Sequence, residues 1–231
     1  MAFHDDLLRD VDPLWSRMLR HPFLLETRDG RIDPDVFARW LRQDYLFVRA
    51  AVPFLGTLLS KAPPEDRDLH ADAIVALGEE LELFRERADA LGVELEGVEP
   101  GLVNHAYVQF LMATGHGRAY PEAFTVLYGA EKAYHESWKV VDEGLEPSSP
   151  WRPLVENWAG EEFAGYVDAL EARVDGLAEE AGPETRSAME ELFELTVRYE
   201  IAFWEMAHRG AGWPGIPGGP GAAPAAAGEE A

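Results

Sequence analysis

Hydrophobic residues recur at spacings of three and four through most of the first 210 positions, and the strict alternation that is typical of strands is nearly absent. This pattern predicts an all-α fold, a bundle of about seven helices. The predicted helices cover 4–20, 34–61, 64–91, 101–115, 119–143, 151–180 with a break inside it, and 183–209.

Prolines and polar caps set several of the predicted helix ends. Asp33 and Pro34 form a typical helix start, with a capping carboxylate followed by a proline in the first turn. His21 and Pro22 are predicted to end the first helix. Pro53 lies inside the second helical pattern, where its missing N–H predicts a kink or a break.

The chain has 231 residues, a length that suits one sizeable domain. From Gly210 onward, glycine, proline and alanine dominate, and only Trp213 and Ile216 could join a core. We therefore predict one helical domain over residues 1–210 and a disordered tail over residues 211–231.

The composition narrows the possible chemistry. No cysteine is present, which excludes disulfides, thiolate metal sites and a cysteine nucleophile. No apolar run approaches the roughly 20 residues of a membrane helix, and the N-terminus lacks the apolar stretch of a signal peptide. We expect a cytoplasmic protein that does not bind a membrane.

The charge is strongly acidic, with 43 Asp and Glu against 20 Lys and Arg and a net charge of −23. Nucleic-acid binding is disfavoured, because it needs clustered cations. The excess indicates either a surface that keeps the protein soluble or adaptation to a salt-rich cytosol, where ions screen the self-repulsion. We favour adaptation to salt as a hypothesis.

Three acidic residues interrupt apolar helix faces where the pattern calls for a core residue: Asp44, Glu131 and Glu200. A buried carboxylate without partners costs several kcal/mol, so each must be paired, protonated or directed into a polar cavity. A cavity accounts for all three. Carboxylates beside aromatic rings would suit a flat, nitrogen-rich ring.

Structural pairing is the alternative for each acid, since buried carboxylates often have Arg or Tyr partners. Helical geometry directs Arg42 and Arg49 away from Asp44. His135, four residues after Glu131, could pair with that carboxylate, and only Tyr or Thr partners are expected for Glu200.

The sequence resembles the TenA family, also called thiaminase II, which has a heme-oxygenase-like helical fold. The resemblance rests on HPF at 21–23, DGRIDPDVFARWLRQDYLF at 29–47 and VRYEIAFWEMAHRGAGW at 197–213. Looser similarity covers YGAEKAYHESW at 128–138 and ENWAGEEFAGYV at 156–167.

The resemblance implies an aminopyrimidine hydrolase of thiamine salvage, acting on an amino- or formylamino-methylpyrimidine. Asp44 would bind the pyrimidine's ring nitrogen and amino group and stay ionised, and Glu200 would shuttle protons. The family's nucleophilic cysteine would fall at Gly129 or a neighbour, so the chain resembles a cysteine-lacking subclass in which Glu131 would activate water or bind the amine. No metal or cofactor is expected, and a homotetramer is implied. The candidate substrate-binding residues are Phe47, Tyr107, Tyr128, Tyr134, Phe163 and Phe203.

Two other functions remain open. Glu131 and His135 could form half of a metal ligand set in a carboxylate-bridged oxidase, completed by acids such as Glu79, Glu80 and Glu82 on the third predicted helix. A non-catalytic, pyrimidine-binding regulatory protein is the other alternative, because fold alone does not decide activity.

Adaptation to salt predicts that the free energy of unfolding rises as salt is added, because ions screen the repulsion among the excess carboxylates. Denaturant titrations over a series of salt concentrations measure this change. A free energy that does not rise with salt would contradict the hypothesis.

Overall fold

The structure is a computed structural model and describes residues 2–210 and 212–214. Within these residues the chain forms ten α-helices, one short 3-10 turn and no strand, so the predicted all-α fold is confirmed. The helices are α1 (Phe3–Asp10), α2 (Asp12–Leu19), α3 (Pro22–Arg28), α4 (Pro34–Lys61), α5 (Arg67–Leu91), α6 (Leu102–Gly117), α7 (Tyr120–Asp142), α8 (Arg152–Ala159), α9 (Glu161–Glu180) and α10 (Pro183–Arg209).

The helix count exceeds the prediction because prolines near the N-terminus start helices. The predicted helix 4–20 is two helices, since Pro13 has no N–H with which to continue α1. His21 and Pro22 were predicted only to end a helix, but they also begin one. His21 Nδ1 accepts the Phe23 N–H at 3.2 Å and Pro22 occupies the first turn, so a further helix, α3, begins there.

Helix α4 begins as the sequence predicts and carries the first of the three inward acids. The Asp33 carboxylate accepts the Asp35 N–H at 2.8 Å, and Pro34 follows the cap. The helix continues through Pro53, so the break that was one of the two outcomes predicted there is not found. Asp44 lies in the interior of this 28-residue helix.

Helix α7 occupies the middle of the bundle. It packs against α10, α8, α9 and α3, and α4 packs against α5, α6 and α10. Its middle contributes buried side chains on almost every side, from Phe124 to Trp138. A helix surrounded in this way places residues from one segment against several neighbours.

Four buried tryptophans from four helices form the centre of the core: Trp40, Trp138, Trp158 and Trp204. The ring centroid of Trp138 lies 4.9 Å from that of Trp40, 5.3 Å from that of Trp158 and 5.8 Å from that of Trp204. Such contacts contribute about 0.5–1.5 kcal/mol each beyond the burial of area. The cluster therefore holds α4, α7, α8 and α10 in fixed relative positions.

Most of the predicted disordered tail, residues 211–231, lies outside the described residues. Trp213 is described, and its indole N–H donates to the Pro100 carbonyl at 3.1 Å while its ring lies 5.6 Å from that of His105. Among the helices that the structure describes, none is long and apolar enough to cross a membrane.

Replacing Gly115 with alanine tests the close crossing of α6 and α4. The added methyl group would overlap with Thr57 Oγ1 and would lie 3.0 Å from Phe54 Cδ2. We expect Gly115→Ala to lower the free energy of unfolding by about 1–3 kcal/mol, because the half-buried Thr57 and the buried Phe54 must shift. Gly117→Ala is the matched control, since nothing lies within 4 Å of a methyl group there. Denaturant unfolding that finds the two variants equally stable would contradict this packing.

Candidate active site

A cavity of about 500 Å³ lies among α4, α5, α7, α8, α9 and α10. Asp44, Glu131 and Glu200 all line it, so the structure brings together the three acids that the sequence singled out. The polar side chains of its lining belong to Asp44, Asp72, Glu79, Glu80, Glu131, Tyr134, Asn157, Trp158, Glu162, Tyr166 and Glu200.

Asp44 is completely buried, with 0 % of its surface exposed. The Tyr134 hydroxyl donates to its Oδ1 at 2.5 Å, and the Trp40 indole N–H donates to that hydroxyl at 3.3 Å. Its Oδ2 has no hydrogen-bond partner. Burial raises the pKa of Asp44 well above its ordinary value, with further increases from nearby Glu80, Glu200 and Glu131, although the Tyr134 hydrogen bond opposes the shift.

This environment bears on the expectation that Asp44 stays ionised. Its burial shifts the pKa of Asp44 upward, toward the protonated form, whereas the Tyr134 hydrogen bond acts in favour of the ionised form. Neither neighbouring arginine compensates the charge. Arg42 donates to the Glu94 carbonyl at 3.1 Å and Arg49 lies over the Tyr45 ring, so both point away as helical geometry predicts.

Glu200 has a similar environment on α10. It is 1 % exposed, and the Tyr107 hydroxyl donates to its Oε1 at 2.6 Å. Its Oε2 has no partner. Burial raises the pKa of Glu200 to about 8, and the hydrogen bond from Tyr107 opposes this shift. The carboxyl can therefore hold a proton at neutral pH and give it up to a ligand.

Glu131 is half-buried and projects into the cavity from α7. Burial raises the pKa of Glu131 to about 8, with contributions from Glu80 and Glu200. The proposed pairing with His135 is not found, because the His135 ring Nδ1 donates to the Trp158 carbonyl at 2.7 Å. Lys132 lies on the other side of α7 and contacts Glu171 at 2.6 Å.

Glu80 of α5 is a fourth carboxyl group at this cavity that the sequence reasoning did not assign to the pyrimidine site. The Asn157 amide donates to its Oε2 at 3.4 Å. Burial raises the pKa of Glu80 to about 7, and hydrogen bonds from Asn157 and Trp158 oppose the shift. Glu80 lies three residues after Leu77 and four before Phe84, a spacing that could have indicated an inward-facing position. The neighbouring acids made this stretch resemble a solvated surface instead.

Of the predicted substrate-binding aromatics, Phe47, Tyr134 and Phe163 line the cavity. Tyr107 and Phe203 lie one layer behind the lining. Their ring centroids are 4.7 Å and 5.6 Å from that of Phe47, which they hold in place. Tyr107 also reaches the site through its hydrogen bond to Glu200.

Tyr128 does not belong to this group. Its ring stacks on Phe193 with centroids 5.7 Å apart, and it is absent from the cavity lining. Gly129 faces Phe193 as Tyr128 does, since a methyl group at Gly129 would lie 3.2 Å from the Phe193 ring. Its neighbour Ala130 lines the cavity. The prediction failed because α7 is buried on several sides, so an apolar position does not show which neighbour it contacts.

Asn157, Trp158 and Tyr166 are among the lining residues that were not predicted. The Tyr166 hydroxyl is buried without a hydrogen-bond partner. No group of three or more His, Cys, Asp or Glu side chains in the described residues is arranged to hold a metal ion. The ligand set required by the metal-oxidase alternative is therefore not found in this part of the chain.

Comparison with known proteins shows that almost the whole chain is similar to one protein family. A sequence profile of the TENA/THI-4/PQQC family matches residues 8–210. A probable bifunctional TENA-E protein from Glycine max is 30% identical over 200 residues, covering 84% of this chain and 87% of that protein. An aminopyrimidine aminohydrolase from Halalkalibacterium halodurans is 27% identical, covering 92% of this chain and 98% of that protein.

Solved structures extend the comparison to the fold. A TenA homologue from Pyrococcus furiosus superposes with a TM-score of 0.86 at 35% identity, covering 89% of this chain and 99% of that one. A domain with a heme oxygenase-like fold from Shewanella denitrificans has a TM-score of 0.71 at 12% identity, with 88% and 90% covered. The predicted heme-oxygenase-like fold is confirmed.

The raised pKa of Glu200 predicts a pH dependence of stability. Its folded-state value of about 8 exceeds the ordinary 4.5, so its contribution to stability is fully present below about 4.5 and is lost as the pH rises through about 8. Glu200→Gln removes this titration. We expect the variant to gain stability relative to the wild type between about pH 5 and 8, on the order of 1 kcal/mol per pH unit.

Thermal unfolding of both proteins over this pH range measures the difference. Glu190→Gln, an exposed position on the same helix, is the matched control and should show a constant difference from the wild type. A constant difference for Glu200→Gln as well would contradict the protonated, buried state of Glu200.

Proposed function

Because the chain belongs to the TENA/THI-4/PQQC family, we propose that it is an aminopyrimidine hydrolase of thiamine salvage, acting on an aminomethyl- or formylaminomethyl-pyrimidine. Relatives named aminopyrimidine aminohydrolase support a hydrolase of this kind. One structural observation carries the proposal. Asp44 and Glu200 are both buried at one cavity, and each has one carboxyl oxygen without a partner.

The size and lining of the cavity suit a single substituted aromatic ring. Its volume of about 500 Å³ falls within the range of small-molecule sites. Phe47 and Phe163 supply apolar ring surface, and the carboxyl groups supply the few polar contacts that fix orientation. Tyr134 closes one side, where its ring is stacked on Trp204 with centroids 5.4 Å apart.

Asp44 has the hydrogen-bonding capacity to recognise an aminopyrimidine. A protonated carboxyl group offers one donor and one acceptor, which complement the ring nitrogen and the amino group of the substrate. If the proton moves to the ring nitrogen, the carboxylate that remains is stabilised by the Tyr134 hydroxyl and the substrate amino group. Burial of Asp44 and the upward shift of its pKa are therefore compatible with its proposed role in binding.

Hydrolysis of the aminomethyl substrate breaks one C–N bond and forms one C–O bond. Glu200 donates a proton to the substrate during departure of the amine, and the Tyr107 hydrogen bond stabilises the carboxylate that results. Water adds to the methylene carbon, and Glu131 in its ionised form accepts the proton that the water releases. The products are the hydroxymethylpyrimidine and ammonia. Transfer of the proton that Glu131 accepted back to Glu200 completes the cycle.

Substitution of the two buried acids separates binding from proton transfer. We expect Glu200→Gln to lower kcat for the aminomethylpyrimidine by about 10²–10⁴, the usual contribution of one acid–base group. Asp44→Asn should lower kcat/KM as well and should weaken binding of the pyrimidine product, because it changes the recognising group itself. Steady-state kinetics with thiamine, the aminomethylpyrimidine and its formyl derivative measure both effects and identify the substrate.

The exposed α10 variant Glu190→Gln serves as the control and should retain wild-type kinetics. Full turnover by Glu200→Gln would refute its proton-transfer role. If the wild-type protein is stabilised thermally by a pyrimidine but turns over none of the three compounds, the regulatory-protein alternative replaces the enzyme.

A further inference from the structure

Two buried amide side chains join α4 to the start of α6, next to the cavity. Gln43 directly precedes Asp44 on α4 and is 2 % exposed, and Asn104 of α6 is 0 % exposed. Asn104 Nδ2 donates to the Gln43 backbone carbonyl at 2.7 Å and to the Gln43 Oε1 at 3.0 Å. Buried amides cost free energy unless they are hydrogen-bonded, so these bonds fix the separation of the two helices at this point.

Gln43 also holds the segment that leads into α6. Its Nε2 donates to the Glu99 carbonyl at 3.1 Å, and its Oε1 accepts the Gly101 N–H at 2.8 Å. Gly101 is the residue before the first turn of α6 and has no side chain with which to cap that turn. A side chain of α4 therefore fixes the position at which α6 begins.

The next layer of this contact contains the tyrosine that bonds to Glu200. Tyr107 lies three residues after Asn104, so the two share one face of α6. Phe47 lies four residues after Gln43 on α4, and its ring centroid is 4.7 Å from that of Tyr107. The Tyr107 hydroxyl donates to Glu200 Oε1 at 2.6 Å. The two amides thus hold α6 about one turn before the residue that contacts Glu200.

A displacement of α6 would act on Glu200 through Tyr107. Hydrogen bonds weaken steeply as their geometry departs from the optimum, and the second carboxyl oxygen of Glu200 has no partner. The other titratable groups that interact with Glu200 belong to α4 and α7, and they are Asp44, Glu131 and Tyr134. The position of α6 therefore controls the single hydrogen bond that Glu200 receives.

We propose that Gln43 and Asn104 are positioning residues, which place the Tyr107 hydroxyl at the Glu200 carboxyl group. This inference rests on the proposed function, in which Glu200 transfers the proton. Neither amide belongs to the cavity lining, so both act through α6 and not on the substrate.

Replacing Gln43 with methionine tests the inference, because methionine has a similar shape but cannot form the hydrogen bonds to Glu99, Gly101 and Asn104. We expect the carboxylate form of Glu200 to lose support from Tyr107, so that the pKa of Glu200 rises above its value of about 8. The midpoint of its titration should rise by about 0.5 pH units or more. Infrared difference spectra measure this midpoint, with Glu200→Gln in the same background identifying the carboxyl band.

Gln109→Met is the matched control, since it makes the same replacement at an exposed position of α6 and should leave the midpoint unchanged. Asn104→Leu takes the place of Gln43→Met if that variant does not fold, and the same rise is expected. An unchanged midpoint in the folded variant would overturn the inference.

Tyr107→Phe tests the route through the hydroxyl, because it keeps the ring and removes only the donor. It should raise the midpoint of Glu200 by at least as much as Gln43→Met. Combining the two substitutions should give no further rise, since both remove the same hydrogen bond. A midpoint that does not change in Tyr107→Phe, or rises that add in the double variant, would contradict the proposed route.

Kinetics separate this inference from the proposed function. Gln43→Met should lower kcat for the aminomethylpyrimidine by about tenfold and change KM by less than about threefold, because Asp44 keeps its bond from Tyr134. The alkaline limb of the kcat profile should move to higher pH together with the infrared midpoint. If the parent protein hydrolyses an aminopyrimidine but the midpoint of Gln43→Met is unchanged, only the inference fails. If the midpoint rises but the parent hydrolyses no aminopyrimidine, the placement of Tyr107 stands and the proposed function fails.

Discussion

The burial of two carboxyl groups without basic partners is the constraint on which the site depends. Asp44 and Glu200 are removed from water, and each receives one tyrosine hydroxyl instead of a lysine or arginine. A neutral donor stabilises a carboxylate less than a cation does, so desolvation prevails and the pKa of each group rises. An arginine in either place would favour the ionised form and remove the proton that an acid catalyst needs.

Such a site requires a rigid surrounding structure, since a mobile one would admit water and lower the raised pKa values. The tryptophan cluster supplies this rigidity. Trp40 belongs to it and also donates to Tyr134, which in turn donates to Asp44. Tyr134 is itself stacked on Trp204, so the hydrogen bonds of the site and the packing of the core share the same side chains.

The absence of cysteine and the acidic cavity are consistent with one chemical strategy. The chain has no thiol nucleophile, and the proposed function assigns proton transfer and water activation to the carboxyl groups at the cavity. Four partly or completely buried acids around one space would be strongly unfavourable if all were ionised.

The order and approximate ends of the longer helices could be predicted from the sequence, because hydrophobic spacing and capping residues are local properties. Asp44, Glu131 and Glu200 could be predicted as inward-facing for the same reason, since each interrupts an apolar stripe. Tyr128, His135 and Glu80 could not be placed correctly from the sequence. The periodicity of a helix shows that a residue is buried, but only the positions of the neighbouring helices show whether its side chain contacts the core, a backbone carbonyl or the cavity. The cavity exists only where α4, α5, α7, α8, α9 and α10 meet, so its full lining was decided by tertiary packing.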